Sequence, residues 1–177
     1  MIWAFDLDGT LVHTKLAVVA SYAHVGIIMP DDAWGKPWHE WLLTADGRPD
    51  HASHARKNDV YANYLGHLAR PTGLLNFAVS NRCPVLTGAS TAAVDAIRER
   101  FGIDLNVVGY SMTPMDKVEW LIDPPSKYTG DPTRIYVDDD PTTLAVVKEC
   151  TTWNTLCPHH ASRLLSSPLV PTPDSRD

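Results

Sequence analysis

The chain has 177 residues, of which 44% are hydrophobic and 20% are charged. This length suits one domain with a modest insertion and is too short for two independent enzymes. The composition excludes a wholly disordered or collagen-like chain. The formal net charge of -6 argues against a general binder of nucleic acid or of anionic membranes, because both partners favour clusters of Lys and Arg.

The cysteines and the first residues of the chain favour a cytoplasmic location. Cys83, Cys150 and Cys157 are an odd number and match no disulfide framework or four-ligand zinc pattern. Residues 1–8 lack the basic stretch and the apolar core of a secretory signal. The uncharged stretch at residues 16–29 is too short to span a bilayer. We therefore expect no membrane partner.

Short apolar runs that end in polar turn residues predict buried parallel strands. The runs are residues 2–5, 85–86 and 135–137, and they are followed by residues 6–10, 87–88 and 138–141, respectively. Runs that are apolar throughout are typical of parallel strands, because helices cover both faces of such a sheet. Since ligands bind at the carboxyl ends of parallel strands, the polar residues at these ends are the candidate site.

Helical patterns lie between the strands. Residues 91–101 form a predicted helix, with Ser90 as its N-cap and Gly102 as its stop. Further helices are expected at residues 113–122 and 141–150, and a further strand at residues 105–108. Strands that alternate with helices predict an α/β fold with a mostly parallel sheet.

Residues 12–75 interrupt this alternation. They carry helical patterns at residues 14–23, 34–43 and 50–69, so we expect a small helical cap that is inserted after the first acidic loop. The predicted core then consists of residues 1–11 and 76–160. Residues 161–177 are rich in Ser and Pro, and we expect a disordered tail there.

The acidic residues at the strand ends favour a magnesium site. Asp6, Asp8, Asp138 and Asp139 would repel one another in one pocket unless a cation is bound. Oxygen ligands completed by water and a phosphate favour Mg2+ over zinc, which prefers His or Cys. Beside the metal, Asp6 is placed to attack a phosphorus atom, as carboxylate nucleophiles do.

The other candidate residues fit the same reaction. Asp8 suits the role of general acid and base, because two residues along an extended segment it points the same way as Asp6. The Thr87 hydroxyl and the Gly88 N–H are expected to bind phosphoryl oxygens. Lys117 would add positive charge, while Lys127, in a loop after two prolines, is the alternative lysine.

Four motifs resemble those of the haloacid dehalogenase superfamily: Asp6-Leu7-Asp8-Gly9-Thr10-Leu11, Leu86-Thr87-Gly88, Lys117 near the start of a helix, and Tyr136-Val137-Asp138-Asp139-Asp140-Pro141. The resemblance implies a Rossmann-like three-layer core and a phosphoric monoester hydrolase of the phosphatase branch, because Asp8 is present. It implies Asp6 as nucleophile, Asp8 as acid and base, and Thr87 and Lys117 on the phosphoryl group. It also implies Asp139, Asp138, Asp6 and the Asp8 carbonyl as Mg2+ ligands.

The expected function is hydrolysis of a small phosphomonoester through an aspartyl-phosphate on Asp6. Trp34, Trp38 and Trp41 recur at helical spacing in the insertion, which is typical of a hydrophobic core and compatible with stacking on a base. On that ground a nucleotide is the preferred substrate, and sugar phosphates stay open. No motif indicates the oligomeric state.

Two other functions fit part of the pattern. A phosphatase of nucleic-acid 3′-phosphate ends would have the same core, but the negative net charge argues against it. A non-catalytic receiver-like phospho-acceptor module also combines acids, Mg2+, Thr and Lys. Such a module has no need of an acid two residues after its acceptor, where this chain has Asp8.

Overall fold

The computed structural model of the chain describes residues 1–24, 59–130 and 133–166. In chain order, their helices and strands are β1 (Ile2–Phe5), β2 (Val12–His13), α1 (Lys15–His24), α2 (Asp59–Leu68), β3 (Arg70–Pro71), α3 (Leu75–Ser80), β4 (Val85–Leu86), α4 (Thr91–Phe101), β5 (Val107–Gly109), α5 (Pro114–Ile122), a 3-10 turn (Ser126–Tyr128), β6 (Arg134–Val137), α6 (Pro141–Cys150), β7 (Asn154–Leu156) and α7 (Pro158–Ser166). Among these helices, none combines the length and apolar character needed to cross a lipid bilayer.

A five-stranded parallel sheet forms the centre of the fold, in the order β5-β4-β1-β6-β7. Trp3 of β1 pairs with Ile135 of β6, and Phe5 pairs with Val137. The chain leaves β1 for β4 on one side and later returns to β6 on the other, so the sheet changes direction at β1. The carboxyl end of β1 is therefore the topological switch point, where ligands bind in open α/β sheets.

The sheet is covered on both faces. Trp3 and Phe5 of β1 pack with Val94 and Ile97 of α4, whereas Ala4 between them packs on the opposite face in a core that includes α5 and α6. This alternation follows from the two-residue period of a strand. The predicted α/β, Rossmann-like three-layer core with a parallel sheet is thus confirmed.

Helix caps explain where the crossover helices begin. Ser90 Oγ accepts from the Ala93 N–H at the start of α4, and Gly102 ends that helix in the left-handed region. Thr113 and Asp116 form a reciprocal capping box at the start of α5. The Asp140 carboxylate caps α6 by accepting from the N–H groups of Thr142 and Thr143. These caps confirm the predicted helix at 91–101 and the helices near 113–122 and 141–150.

The predicted insertion is described in part. The helix predicted at residues 14–23 corresponds to α1, which covers Lys15–His24, and α2 covers the end of the helix predicted at 50–69. The expected helix at 34–43 lies outside the described residues. Two short strands, β2 and β3, pair antiparallel where the chain enters and leaves the insertion, so the two connections are tied to each other.

The predicted start of the disordered tail differs from the structure. Helix α7 runs through Ser166, and Ala161 at its centre is fully buried. Composition alone predicts the boundary at 161, but it does not reveal that Ala161 packs in the hydrophobic core. Residues 167–177 lie outside the described part of the chain.

Candidate active site

The carboxyl ends of β1, β4 and β6 bring predicted site residues together. Asp6 follows β1, Thr87 follows β4 and Asp138 follows β6, and all three residues are buried. The Asp6 N–H donates to the Val137 carbonyl at 2.8 Å, so the sheet's hydrogen bonds continue to the first residue of the site. The position of Asp6 is therefore fixed by its backbone.

Lys117 lies between two carboxylates at this edge. Its Nζ donates to Asp6 Oδ1 at 2.7 Å and to Asp138 Oδ2 at 2.9 Å. Lys117 is buried in the first turns of α5, whose start is fixed by the Thr113 cap. The lysine named from the sequence is thus an element of the cluster, whereas Lys127 is exposed and its Nζ lies 4.7 Å from the centre of the Tyr128 ring.

Asp138 is held by three donors. Oδ2 accepts from Lys117 and, at 2.6 Å, from the Tyr136 hydroxyl. Oδ1 accepts from the Asp140 N–H at 2.9 Å. Because a carboxylate oxygen offers about two acceptor positions, Oδ2 is fully used and Oδ1 keeps one lone pair that could bind a metal.

The charges in the cluster perturb one another. Burial raises the pKa of Asp6 well above its usual range, and Asp138 and Asp8 add to this by repulsion, while Lys117 opposes it. Burial disfavours the ammonium of Lys117, but the attraction of Asp6 and Asp138 outweighs it, so the pKa of Lys117 is raised. One buried cation therefore serves more than one carboxylate, and negative charge remains in excess.

Asp139 completes the acidic cluster from the other side of the first loop. Its Oδ1 accepts from the Thr10 hydroxyl at 3.3 Å, and its carboxylate lies directly over the Cα atom of Gly9. Although Asp139 as a residue is exposed, burial of its carboxyl group and repulsion from Asp138 raise its pKa to about 6. A nearby cation would therefore stabilise the ionised form of this carboxylate.

The donor set fits a hard divalent cation. Asp6, Asp138 and Asp139 each offer one carboxylate oxygen, and these oxygens lie within 4.8 Å of one another. Oxygen ligands that leave room for water and phosphate suit Mg2+, and a dication would relieve the repulsion that raises the pKa values of Asp6 and Asp139. The site chemistry therefore fits the predicted ion.

Asp8 is held by a residue from the insertion. The Tyr61 hydroxyl donates to Asp8 Oδ1 at 2.8 Å, and Tyr61 is itself buried in α2. Asp8 is half-buried, so its carboxyl group keeps some access to a ligand in the site. Sequence reasoning named Asp8 and missed Tyr61, which lies 53 residues away.

The loop after β4 places Thr87 and Gly88 beside the cluster. Thr87 is fully buried, and its Oγ1 accepts from the Ala89 N–H at 3.0 Å. The hydroxyl hydrogen of Thr87 is therefore available for donation to a ligand oxygen. Gly88 is exposed in the same loop. The Met112 N–H donates to the Thr87 carbonyl at 2.9 Å, so the loop after β5 supports this one.

The fold is similar to solved structures of haloacid dehalogenase-like proteins. CbbY from Rhodobacter sphaeroides, solved in complex with phosphate, matches with a TM-score of 0.59 and 16% identity, over 89% of this chain and 86% of that one. A conserved haloacid dehalogenase-like protein of unknown function from Agrobacterium tumefaciens matches with a TM-score of 0.58 and 16% identity, over 93% and 88%.

A third match is a haloacid dehalogenase-superfamily hydrolase of subfamily IA from Geobacter sulfurreducens, with a TM-score of 0.56 and 17% identity over 88% of both chains. No protein-family model and no curated protein sequence matches the chain. The chain has the haloacid dehalogenase-like fold, which confirms the fold that the four motifs predict.

Proposed function

We propose that the chain is a divalent-metal-dependent phosphatase that hydrolyses a phosphomonoester through an aspartyl-phosphate on Asp6. The observation that carries the proposal is the buried Asp6 carboxylate at the switch point of the sheet, paired with Lys117 at 2.7 Å and grouped with Asp138 and Asp139. Burying a carboxylate beside one cation and further acids costs free energy of folding, and a role in phosphoryl transfer would explain why the chain has this arrangement.

In the proposed reaction, an Asp6 oxygen forms a bond to phosphorus and the bond from phosphorus to the leaving oxygen breaks. Asp8 gives its proton to that oxygen. Asp8 then takes a proton from water as the water oxygen attacks phosphorus, and the bond to Asp6 breaks to release phosphate. Lys117 and the Thr87 hydroxyl would hold phosphoryl oxygens. Mg2+ held by Asp6, Asp138, Asp139 and the Asp8 carbonyl would neutralise phosphate charge and keep Asp6 ionised.

The test measures release of p-nitrophenol from p-nitrophenyl phosphate by the purified chain. We expect activity that requires Mg2+, is abolished by a chelator and is lost in Asp6→Asn. The matched control is Asp104→Asn, which makes the same change at an exposed position, and we expect it to retain full activity. Equal activity of a folded Asp6→Asn and the parent chain would refute the proposal.

For the substrate, we propose a nucleotide, with sugar phosphates as the alternative. The support is the spacing of Trp34, Trp38 and Trp41 in the sequence alone. These three residues lie outside the described part of the chain. Comparison of kcat/KM for mononucleotides, sugar phosphates and a 3′-phosphorylated oligonucleotide separates these substrates. A stable phosphoryl adduct without turnover would instead favour a receiver-like module.

A further inference from the structure

A tyrosine outside the four motifs contacts the acid and base of the proposed reaction. The Tyr61 hydroxyl donates to Asp8 Oδ1 at 2.8 Å, and only 2% of the Tyr61 surface is exposed. We propose that Tyr61 is a positioning residue that orients the Asp8 carboxyl group for proton transfer to the leaving oxygen. This inference rests on the proposed phosphatase function and adds a residue to it.

The tyrosine is held by the core domain. Arg100 of α4 donates through Nε to the Ala69 carbonyl at 2.7 Å and through Nη1 to the Gly66 carbonyl at 2.7 Å. These bonds fix the end of α2 on α4, which packs against the central sheet. Leu65, one turn after Tyr61, is fully buried in the same core. The hydroxyl therefore reaches Asp8 from a fixed platform.

Asp8 needs such a contact because its backbone alone does not orient its side chain. The turn that follows it is closed by the Gly9 N–H, which donates to the Val12 carbonyl at 2.8 Å. The Asp8 carboxyl group can still rotate about its two side-chain bonds, and a hydrogen bond to Oδ1 selects one orientation. Oδ2 is then the oxygen left to exchange a proton with the substrate, and small errors in such placement slow a reaction strongly.

A purely structural role makes a different prediction. A buried tyrosine hydroxyl usually has a hydrogen-bond partner, and Asp8 would satisfy it without any effect on proton transfer. Removing the hydroxyl would then change kcat/KM by the same factor for every substrate. A positioning role instead predicts a loss that grows with the basicity of the leaving group, because a basic leaving oxygen depends most on the proton from Asp8.

The experiment compares Tyr61→Phe with the parent chain on p-nitrophenyl phosphate and phenyl phosphate. The ratio kcat/KM is measured, because it reports the steps up to the first transfer of the phosphoryl group. The matched control is Tyr64→Phe, which removes a hydroxyl from the same helix; that hydroxyl lies 3.3 Å from His24 Nδ1. We expect this control to behave as the parent chain with both substrates.

For Tyr61→Phe, we expect kcat/KM for phenyl phosphate to fall at least about tenfold more than for p-nitrophenyl phosphate. Equal losses with both substrates, unchanged rates or faster rates would overturn the positioning role. Failure of the parent chain to hydrolyse either substrate with Mg2+ would overturn the phosphatase proposal itself. An active parent chain with an unchanged substrate ratio in Tyr61→Phe would overturn only the role of Tyr61.

Discussion

The Asp139 carboxylate lies so close to Gly9 that a Cβ atom at position 9 would come within 2.2 Å of Asp139 Oδ2. Gly9 also has a φ of +76°, in the left-handed region that residues with a Cβ atom rarely adopt. Position 9 thus requires glycine for two physical reasons: its backbone adopts a left-handed conformation, and the Asp139 carboxylate occupies the space of a Cβ atom.

Replacing this glycine is predicted to displace Asp139. In Gly9→Ala, we expect Mg2+ activation to weaken at least about tenfold, in line with mutations that misplace a metal's ligands. We also expect the free energy of unfolding to fall by about 1–2 kcal/mol through backbone strain. Activity as a function of Mg2+ concentration and thermal unfolding check these effects. Gly73→Ala is the control, since nothing lies within 4 Å of its added Cβ atom. Parent-like Mg2+ activation of Gly9→Ala would contradict the assignment of Asp139 to the metal.

Substitutions of the two neighbouring aspartates, Asp138 and Asp139, are predicted to have different effects on stability and on Mg2+ activation. Asp139→Asn should weaken Mg2+ activation with little loss of stability, because Asp139 is exposed. Asp138→Asn should destabilise the fold by about 3 kcal/mol, because a buried amide cannot accept from Lys117, Tyr136 and Asp140 as a carboxylate does. Chemical denaturation and Mg2+ titration separate the two effects. Identical behaviour of the variants would contradict the division of roles.

The pKa of Asp139, raised to about 6 from an ordinary 3.8, predicts a pH-dependent response to metal. The folded state holds this proton more tightly than the unfolded chain does, so the contribution to stability is complete below about pH 4 and is lost as the pH rises through about 6. Mg2+ binds the ionised carboxylate. We therefore expect the increase in Tm caused by Mg2+ to grow between about pH 5 and about pH 7.5.

Thermal unfolding with and without Mg2+ across this pH range measures the effect. The Asp139→Asn variant is the control, and the pH dependence of its response to Mg2+ should be smaller. An increase in Tm that is the same at every pH would show that Asp139 does not titrate with metal binding.

Removal of the buried lysine is predicted to affect both activity and stability. Lys117→Met leaves Asp6 and Asp138 without their shared cation, so the free energy of unfolding should fall and the Asp6 carboxyl group should be harder to ionise. We expect kcat/KM to fall by about 10²-fold or more. Lys127→Met is the matched control, and its kcat/KM should stay near that of the parent chain. A larger loss in Lys127→Met than in Lys117→Met would reverse the choice of lysine.

The centre of the site was predictable because strand ends converge. Asp6 and Asp138 each follow a buried apolar run, and the parallel pairing of those runs places the residues after them at one edge. Lys117 could be named only through the spacing of the motifs, since nothing in its own segment shows that it points toward β1. The sequence does not predict the short strands β2, β3 and β7, because each contains polar or proline residues and none is an apolar run like the equally short β4.

The two tyrosines show where such reasoning ends. Tyr136 belongs to a predicted apolar strand and lies two residues before Asp138, and residues two apart share a face of a strand. That spacing could have revealed the hydrogen bond between them. No comparable pattern leads to Tyr61, because its contact with Asp8 depends on how α2 packs against α4.

The most direct test of the central claim is to trap the phosphoryl group on the enzyme. Turnover of p-nitrophenyl phosphate with Mg2+ would be quenched with borohydride, which reduces an aspartyl-phosphate to homoserine, and the modified residue would be located by peptide mass spectrometry. We predict homoserine at position 6, both in the parent chain and in the control variant Asp104→Asn. Continued turnover with position 6 unmodified, or reduction at another aspartate, would contradict the account.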